Sequence, residues 1–404
     1  MNSRHIRATT RPSADDSPLR VIFVFDNLEF SGAGKVALDI VRATKNGPEL
    51  GIVASGFVCM ADATGGSCAS DDIGFANPHA TVDLPIWRKV ILGVRAIFRC
   101  AQASRDADLL VGVTPPAAFA AKCASWLAGK PVVAWVHYDI EGWQRELIHY
   151  SRSGTARFFE VLFYKWIVPR FSSAIFVSEA CRSSMARIRG GAGTHWTSIP
   201  NLFSASSFST QEADLTELRQ LKAGGIPVLL FLGRLSRQKR WQDTVRVMEI
   251  LAQRNCPAHL VVIGDGVERQ AFLDRLAASS AKSRITWLGQ LANPIQALLL
   301  ADALILTSLY EAWPVVILEA FHCQLPVVSY CCPSGPAQML ADGRGICCEE
   351  TPEAMANAVA ELFSISIDER TTMLRAASSF NEQHRASVIM PMWKAYVRTL
   401  VDHH

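Results

Sequence analysis

The chain has 404 residues, of which 50% are hydrophobic and 19% charged, and its net charge is +3. This composition excludes a mainly disordered chain, and the length exceeds what one ordinary core organises, so two domains of about 150–200 residues each are expected. The eleven cysteines contain no Cys-x-x-Cys pair, which argues against a zinc ribbon or a disulfide framework and for reduced, mostly buried thiols in a cytosolic protein.

Residues 1–18 are polar and read as a loose tail without the apolar core of a signal peptide. The apolar run at 19–26 leads through Ser31-Gly-Ala-Gly34 into a helical pattern at 35–44. A strand, a glycine turn, a helix and another apolar strand make the βαβ unit of a parallel sheet. Further strands are expected at 51–60, 109–113, 132–137 and 174–177. Asp106-Ala-Asp108 lies between a helical pattern and a strand, so it is read as a polar junction rather than a metal-diphosphate motif.

The same grammar restarts at 226–233, followed by a basic loop and a helical pattern at 241–254. Strands are expected at 258–263, 285–287, 303–306, 327–329 and 345–347, with helices at 267–278 and 353–363. Small polar residues after Pro200 place the domain join near 199–207. The expected layout is a tail at 1–18, a first α/β domain at 19–203, a second at 204–385, and a helix at 386–404. That last helix is read from an amphipathic pattern at 391–400. No run of about 18 apolar residues occurs, so no transmembrane helix is expected.

Charge is unevenly spread. Residues 1–200 carry +5 and residues 201–404 carry −2, and 85–189 alone hold 15 basic against 7 acidic residues. Segments 87–99 and 157–170 mix aromatic, aliphatic and basic residues. They suit either ordinary helix faces or contact with an anionic membrane surface. No motif supports nucleic-acid binding.

Chemistry-bearing residues gather at strand ends, where ligands bind in open α/β sheets. Gly233-Arg-Leu-Ser-Arg-Gln-Lys239 places two arginines and a lysine beside a glycine, a composition able to surround a diphosphate. Gly264-Asp-Gly266 permits a tight turn or close backbone approach. In segment 308–319, Pro314 is placed to start a helix, Glu311 sits in the preceding loop and Glu319 one turn in. Two such acids could also be a glycosidase pair, but the adjacent basic loop favours a phosphate-bearing donor. Turns follow at 333–337 and 341–345.

The ordered set Gly-Arg-Leu…Lys, Gly-Asp-Gly, Trp-Leu-Gly, Ser-x-Tyr-Glu-x-x-Pro…Glu-Ala, Pro-Val-Val, Gly-Pro and Asp-Gly-x-Gly, over 226–350, resembles the retaining glycosyltransferases of family 4. Residues 20–200 resemble them more loosely, through Ser31-Gly-Ala-Gly-Lys35, His137, Val177-Ser-Glu179 and Pro200-Asn201. The resemblance implies an α/β protein of GT-B architecture, with two Rossmann-like domains whose parallel sheets face a cleft: 19–203 on the acceptor side, 204–385 binding the nucleotide sugar, and the helix at 386–404 returning to the first. It implies a diphosphate pair in Arg234 and Lys239, a ribose-binding acid in Glu319, and an acid near the transferred sugar in Glu311. The backbone of Ala312, Trp313, Pro314 and Val315 would lie by the donor, with Gly32, Gly34, Gly233 and Gly264 in the donor-binding loops and His137 near the donor sugar. The sequence departs from the pattern at Ala312, Gln324, Gln338 and Lys35.

The implied activity is transfer, with retention, of a hexosyl or related group from a nucleoside-diphosphate sugar to a hydroxyl of a glycan or lipid-linked acceptor, as in cell-surface polysaccharide or glycolipid assembly. Neither a metal nor a cofactor is required, since two cations and a helix N-terminus can stabilise a departing diphosphate. The expected location is cytoplasmic, at the inner face of the plasma membrane. A sugar-nucleotide epimerase of the same architecture and a catalytically silent sugar-nucleotide-binding protein are the alternatives.

Overall fold

The computed structural model describes residues 18–25, 32–46, 52–59, 86–142, 170–204, 214–332 and 334–403. The first half supplies β1 (Leu19–Phe25), α1 (Gly32–Asn46), β2 (Ile52–Cys59), α2 (Ile86–Ala103), β3 (Leu109–Gly112), α3 (Pro115–Ala128), β4 (Val132–Val136), β5 (Ser173–Phe176), α4 (Glu179–Arg189) and β6 (His195–Ser198). The second supplies α5 (Thr216–Ala223), β7 (Val228–Leu232), α6 (Trp241–Gln253), β8 (His259–Ile263), α7 (Arg269–Ala277), β9 (Ile285–Gly289), α8 (Ile295–Leu300) and β10 (Ala303–Leu306). It continues with α9 (Val315–His322), β11 (Val327–Tyr330), α10 (Gly335–Met339), β12 (Ile346–Cys348), α11 (Pro352–Ser364), α12 (Ile367–Glu382) and α13 (Ala386–Asp402).

Apolar runs such as Val132–Val136, His259–Ile263 and Ala303–Leu306 are buried along their whole length. Strands covered on both faces belong to parallel sheets. The described strands pair in parallel, in one six-stranded sheet ordered β2-β1-β3-β4-β5-β6 and a second ordered β12-β11-β10-β7-β8-β9. The expected α/β architecture of two Rossmann-like sheets is therefore present. The order of each sheet reverses beside its first strand, between β1 and β3 and between β7 and β10. Such a switch point leaves a crevice at the carboxyl ends of the strands, because the two connections leave in opposite directions.

Local chemistry sets the helix limits. Pro115 opens α3, where its missing N–H costs nothing, and Gly129 closes it in the left-handed region at φ 61°. Ser366 and Glu369 form a reciprocal capping box on α12. Strand β6 was not expected from the sequence. Its residues, His-Trp-Thr-Ser, are only half-buried at the sheet edge, so they lack the apolar signature of an interior strand.

The pattern read at 391–400 belongs to a longer helix, α13, that runs through Pro391. Its buried residues Ile389, Met390 and Trp393 flank the proline, and this packing outweighs the lost helix hydrogen bond. Trp393 meets Phe23 of β1 at 6.2 Å and Trp135 of β4 at 4.7 Å between ring centroids. The Tyr396 hydroxyl donates to the His195 carbonyl at 2.5 Å. The end of the chain thus packs on the first sheet.

Candidate active site

The second switch point brings together the loop after β7 and the loop after β10. A 3₁₀ turn at Arg237–Lys239 ends in Arg240, which starts α6 from the left-handed region at φ 45°. Thr307 donates to the carbonyls of Lys239 and Arg240 at 2.9 and 3.1 Å. The Leu309 N–H donates to the Gln238 carbonyl at 2.8 Å, and Gln238 Nε2 donates to the Tyr310 carbonyl at 3.0 Å. The two loops are stitched together, and Lys239 faces Glu311.

Lys239 Nζ lies 2.5 Å from Glu311 Oε1, and the Ser308 hydroxyl donates to the same oxygen at 2.8 Å. Glu311 is buried. A buried carboxylate requires such partners, because leaving it unpaired would be costly. Arg234 is exposed, with no ion-pair partner among the described residues. Arg240 is occupied structurally, by Asp243 at 2.6 Å and by the Tyr330 ring 5.0 Å from its guanidinium.

The glycines of this face allow two loops to lie on each other. A Cβ at Gly264, whose φ is +139°, would stand 1.9 Å from the Gly233 carbonyl oxygen, and one at Gly266 would stand 2.4 Å from that of Leu235. Trp287 Nε1 donates to the Gly264 carbonyl at 2.9 Å and holds the second loop from behind.

Pro314 caps α9 in an extended conformation, and Val315 is the first helical residue. Ala312, Trp313 and Val315 have buried side chains. Trp313 stacks on His384 at 5.6 Å, so this segment offers its backbone rather than its side chains to the cleft. Asn201, at the end of the first half, donates to the Trp313 carbonyl at 3.4 Å. Glu319 is buried on α9 and forms an ion pair with Lys35 of α1, which joins the two halves of the chain.

From the first sheet, Gly32 and Gly34 lie in the first turn of α1, beside its switch point. His137 directly follows β4, with its ring 4.2 Å from that of Trp135. The residue is half-buried overall, but its Nε2 is screened from solvent and has no hydrogen-bond partner among the described residues. Desolvation lowers its pKa to about 3, so the ring is neutral at ordinary pH.

Sequence reasoning missed Lys35 as a partner of Glu319, and missed Asp139, two residues past His137 and buried against the second domain. The position of Asp139 just beyond a strand end was its one legible signal. Asp108 accepts the Arg20 N–H at 2.7 Å, which accounts for this carboxylate of the Asp-x-Asp as a structural tie. Among the described residues, no three His, Cys, Asp or Glu side chains converge as a metal site, and no helix is long and apolar enough to cross a membrane. An open groove of about 550 Å³ lined by Gln338, Arg344 and Phe380 contains none of the strand-end residues above.

Comparison with known proteins places these features in a family. A model described as glycosyl transferases group 1 matches residues 216–379, and a glycosyl transferase 4-like domain matches residues 31–201. The lipopolysaccharide 1,6-galactosyltransferase of Salmonella typhimurium is 32% identical over 122 residues, which are 29% of this chain and 33% of that protein. The N-acetyl-alpha-D-glucosaminyl L-malate synthase of Bacillus anthracis is 26% identical over 186 residues, 45% of this chain and 48% of that protein. The matched parts span between 28% and 48% of the length of such relatives. Anabaena HepE in complex with UDP-glucose superposes with a TM-score of 0.67 at 19% identity, covering 94% of this chain and 99% of that one. Sucrose-phosphate synthase from Thermosynechococcus elongatus gives 0.73 at 14% identity, covering 96% and 100%. At these identities the superpositions show a shared fold.

Proposed function

The chain belongs to the group 1, GT4-like glycosyltransferases of GT-B type, and from that premise we propose that it transfers a sugar, with retention, from a nucleoside-diphosphate sugar to a hydroxyl of a glycan or lipid-linked acceptor. The observation that carries this reading is the convergence of Lys239, Glu311 and the start of α9 at the second switch point. The complexes of HepE with UDP and UDP-glucose support a nucleotide-sugar donor. The similarity to a lipopolysaccharide 1,6-galactosyltransferase supports a role in polysaccharide or glycolipid assembly.

In this reading the bond between the anomeric carbon and the diphosphate oxygen breaks, and the diphosphate leaves with the electron pair. Lys239, the exposed Arg234 and the N–H groups opening α9 stabilise that charge. The acceptor oxygen bonds to the anomeric carbon, and its proton passes to the leaving diphosphate. Glu319 receives ribose hydroxyls, Glu311 lies by the sugar, and neutral His137 offers a hydrogen bond to it. Retention at the anomeric carbon rests on the family resemblance, and the chemistry requires no metal.

The deciding experiment is a thermal-shift screen over common sugar nucleotides, followed by product mass with candidate acceptors. Lys239→Ala should lower turnover by roughly 10²–10³-fold in a folded protein. Near-normal activity in that variant contradicts the assignment. Donor alone separates the alternatives: an epimerase alters the sugar, and a silent binder shows a shift without turnover on any acceptor.

Peripheral contact with an anionic membrane, at the inner face of the plasma membrane, is part of the same proposal. Support comes from α2 and α3, which expose Val94, Arg95, Phe98, Phe119, Lys122, Trp126 and Leu127, with Trp126 91% exposed. Residues 157–169 of the second suggested segment lie outside the described residues. Flotation with anionic liposomes tests the contact, and absence of binding at low salt refutes it.

A further inference from the structure

The Glu311 segment is gripped from both sides. Ser334 pairs with Glu311 through an isolated parallel bridge, and the Gly335 N–H donates to the Glu311 carbonyl at 3.0 Å. A Cβ at Gly335 would stand 2.5 Å from Pro314 Cδ and 3.0 Å from the Ala312 carbonyl oxygen, so 334–335 lies flush on 311–314. Ser334 holds φ 87° and ψ −112°, a conformation that a residue with a Cβ keeps only when its surroundings impose it.

Part of that imposition comes from the other domain. The Ser334 hydroxyl lies beside the carboxylate of Asp139 and favours its charged form; Asp139 follows β4 and is only 2% exposed. Asp139 accepts the backbone N–H of Glu141 at 3.2 Å, with the Gly142 N–H nearby. At Gly142 a Cβ would stand 2.3 Å from Tyr310 Cβ. An ordinary helix cap explains the bond to Glu141 and the nearness of the Gly142 N–H. It explains neither the Ser334 contact nor a glycine pressed against the residue before Glu311.

We infer that the turn 139–142 is a seat that positions Glu311 across the cleft, with Gly142 receiving Tyr310 and Asp139 set beside Ser334. Asp139 and Gly142 are positioning residues and touch no reacting atom. Closing the two domains thereby sets the backbone that carries Glu311, which deepens the reading of Glu311 as a donor-site acid and rests on it.

The test is amide hydrogen exchange, read by mass spectrometry on the full chain. Asp139→Ser keeps a capping oxygen but is too short to span to Ser334. Gly142→Ala forces a methyl group against Tyr310. Each should speed exchange in 308–316 and 334–339, on the far side of the cleft, by about fivefold or more, with β7 and β8 unchanged as internal controls. Unchanged exchange in those segments in both variants overturns the seat. Glycine adopts the backbone of Ser334 without strain, so Asp139→Ser should add nothing in a Ser334→Gly background; an undiminished effect there also overturns it.

Turnover in the seat variants should fall about tenfold or more at unchanged donor KM. Wild-type turnover in a variant whose exchange has risen refutes the positioning role. If the wild-type protein turns over no donor, the donor-site reading fails, while the exchange result still decides the seat.

Discussion

Lys239 and Glu311 neutralise each other at 2.5 Å, so the cation proposed to hold the donor diphosphate is already engaged by the acid proposed to meet the donor sugar. Donor binding then exchanges one anionic partner of Lys239 for another. Glu311→Gln should free Lys239, tighten UDP binding by roughly 3–10-fold, and lower turnover. Calorimetry with UDP reads the first effect; weaker UDP binding in the variant would show that Glu311 does not compete for Lys239.

The pair Lys35–Glu319 couples the two domains in the same way, since α1 belongs to the first sheet and α9 to the second. Lys35→Met should release Glu319 for the ribose and loosen the closed arrangement. The expected result is a larger radius of gyration by small-angle scattering together with UDP binding that tightens about threefold or more. If neither quantity moves, the pair has no influence on closure.

His137 should stay uncharged through the working range. Burial lowers its pKa from 6.5 to about 3, and in the unfolded chain it returns to its ordinary value. The unfolded state therefore binds the proton first as pH falls below 6.5, and His137 subtracts stability progressively between that point and about pH 3. Nitrogen NMR should show a neutral ring at pH 5.5. A titration centred near 6.5 would contradict the buried placement.

Glu249 behaves oppositely. Arg275 lies 2.9 Å from it and Ser279 donates to it at 2.8 Å, and the Arg275 hydrogen bonds hold its pKa near 2 rather than 4.5. The contribution is fully present above about pH 4.5 and is lost as pH falls through about 2. Glu249→Gln should cost on the order of 2 kcal/mol at pH 7 and much less near pH 2. Urea unfolding at the two pH values measures this, and an equal loss at both would exclude the ionic origin.

Much of the fold was legible because each interior strand carries its own apolar signal. Val132–Val136 and Ala303–Leu306 are examples, buried end to end as their composition suggests. The half-buried edge strand β6 escaped because burial, not propensity, writes that signal. The amphipathic pattern at 391–400 covers only part of α13, because a proline in a helical pattern reads as a boundary until its neighbours are seen packed on the first sheet.

At the site, residue identities and strand-end positions were readable, and charge partnerships were not. By itself the sequence determined two βαβ sheets and the placement of Gly233–Lys239 and 308–319 at strand ends, since local hydrophobic periodicity and turn glycines suffice for both. Only the tertiary structure decided that Lys35 meets Glu319, 284 residues away, and that Asp139 and Gly142 press on the segment carrying Glu311. Such contacts arise when two separately specified sheets close on one another, and no local pattern in the chain encodes the surface each presents to the other.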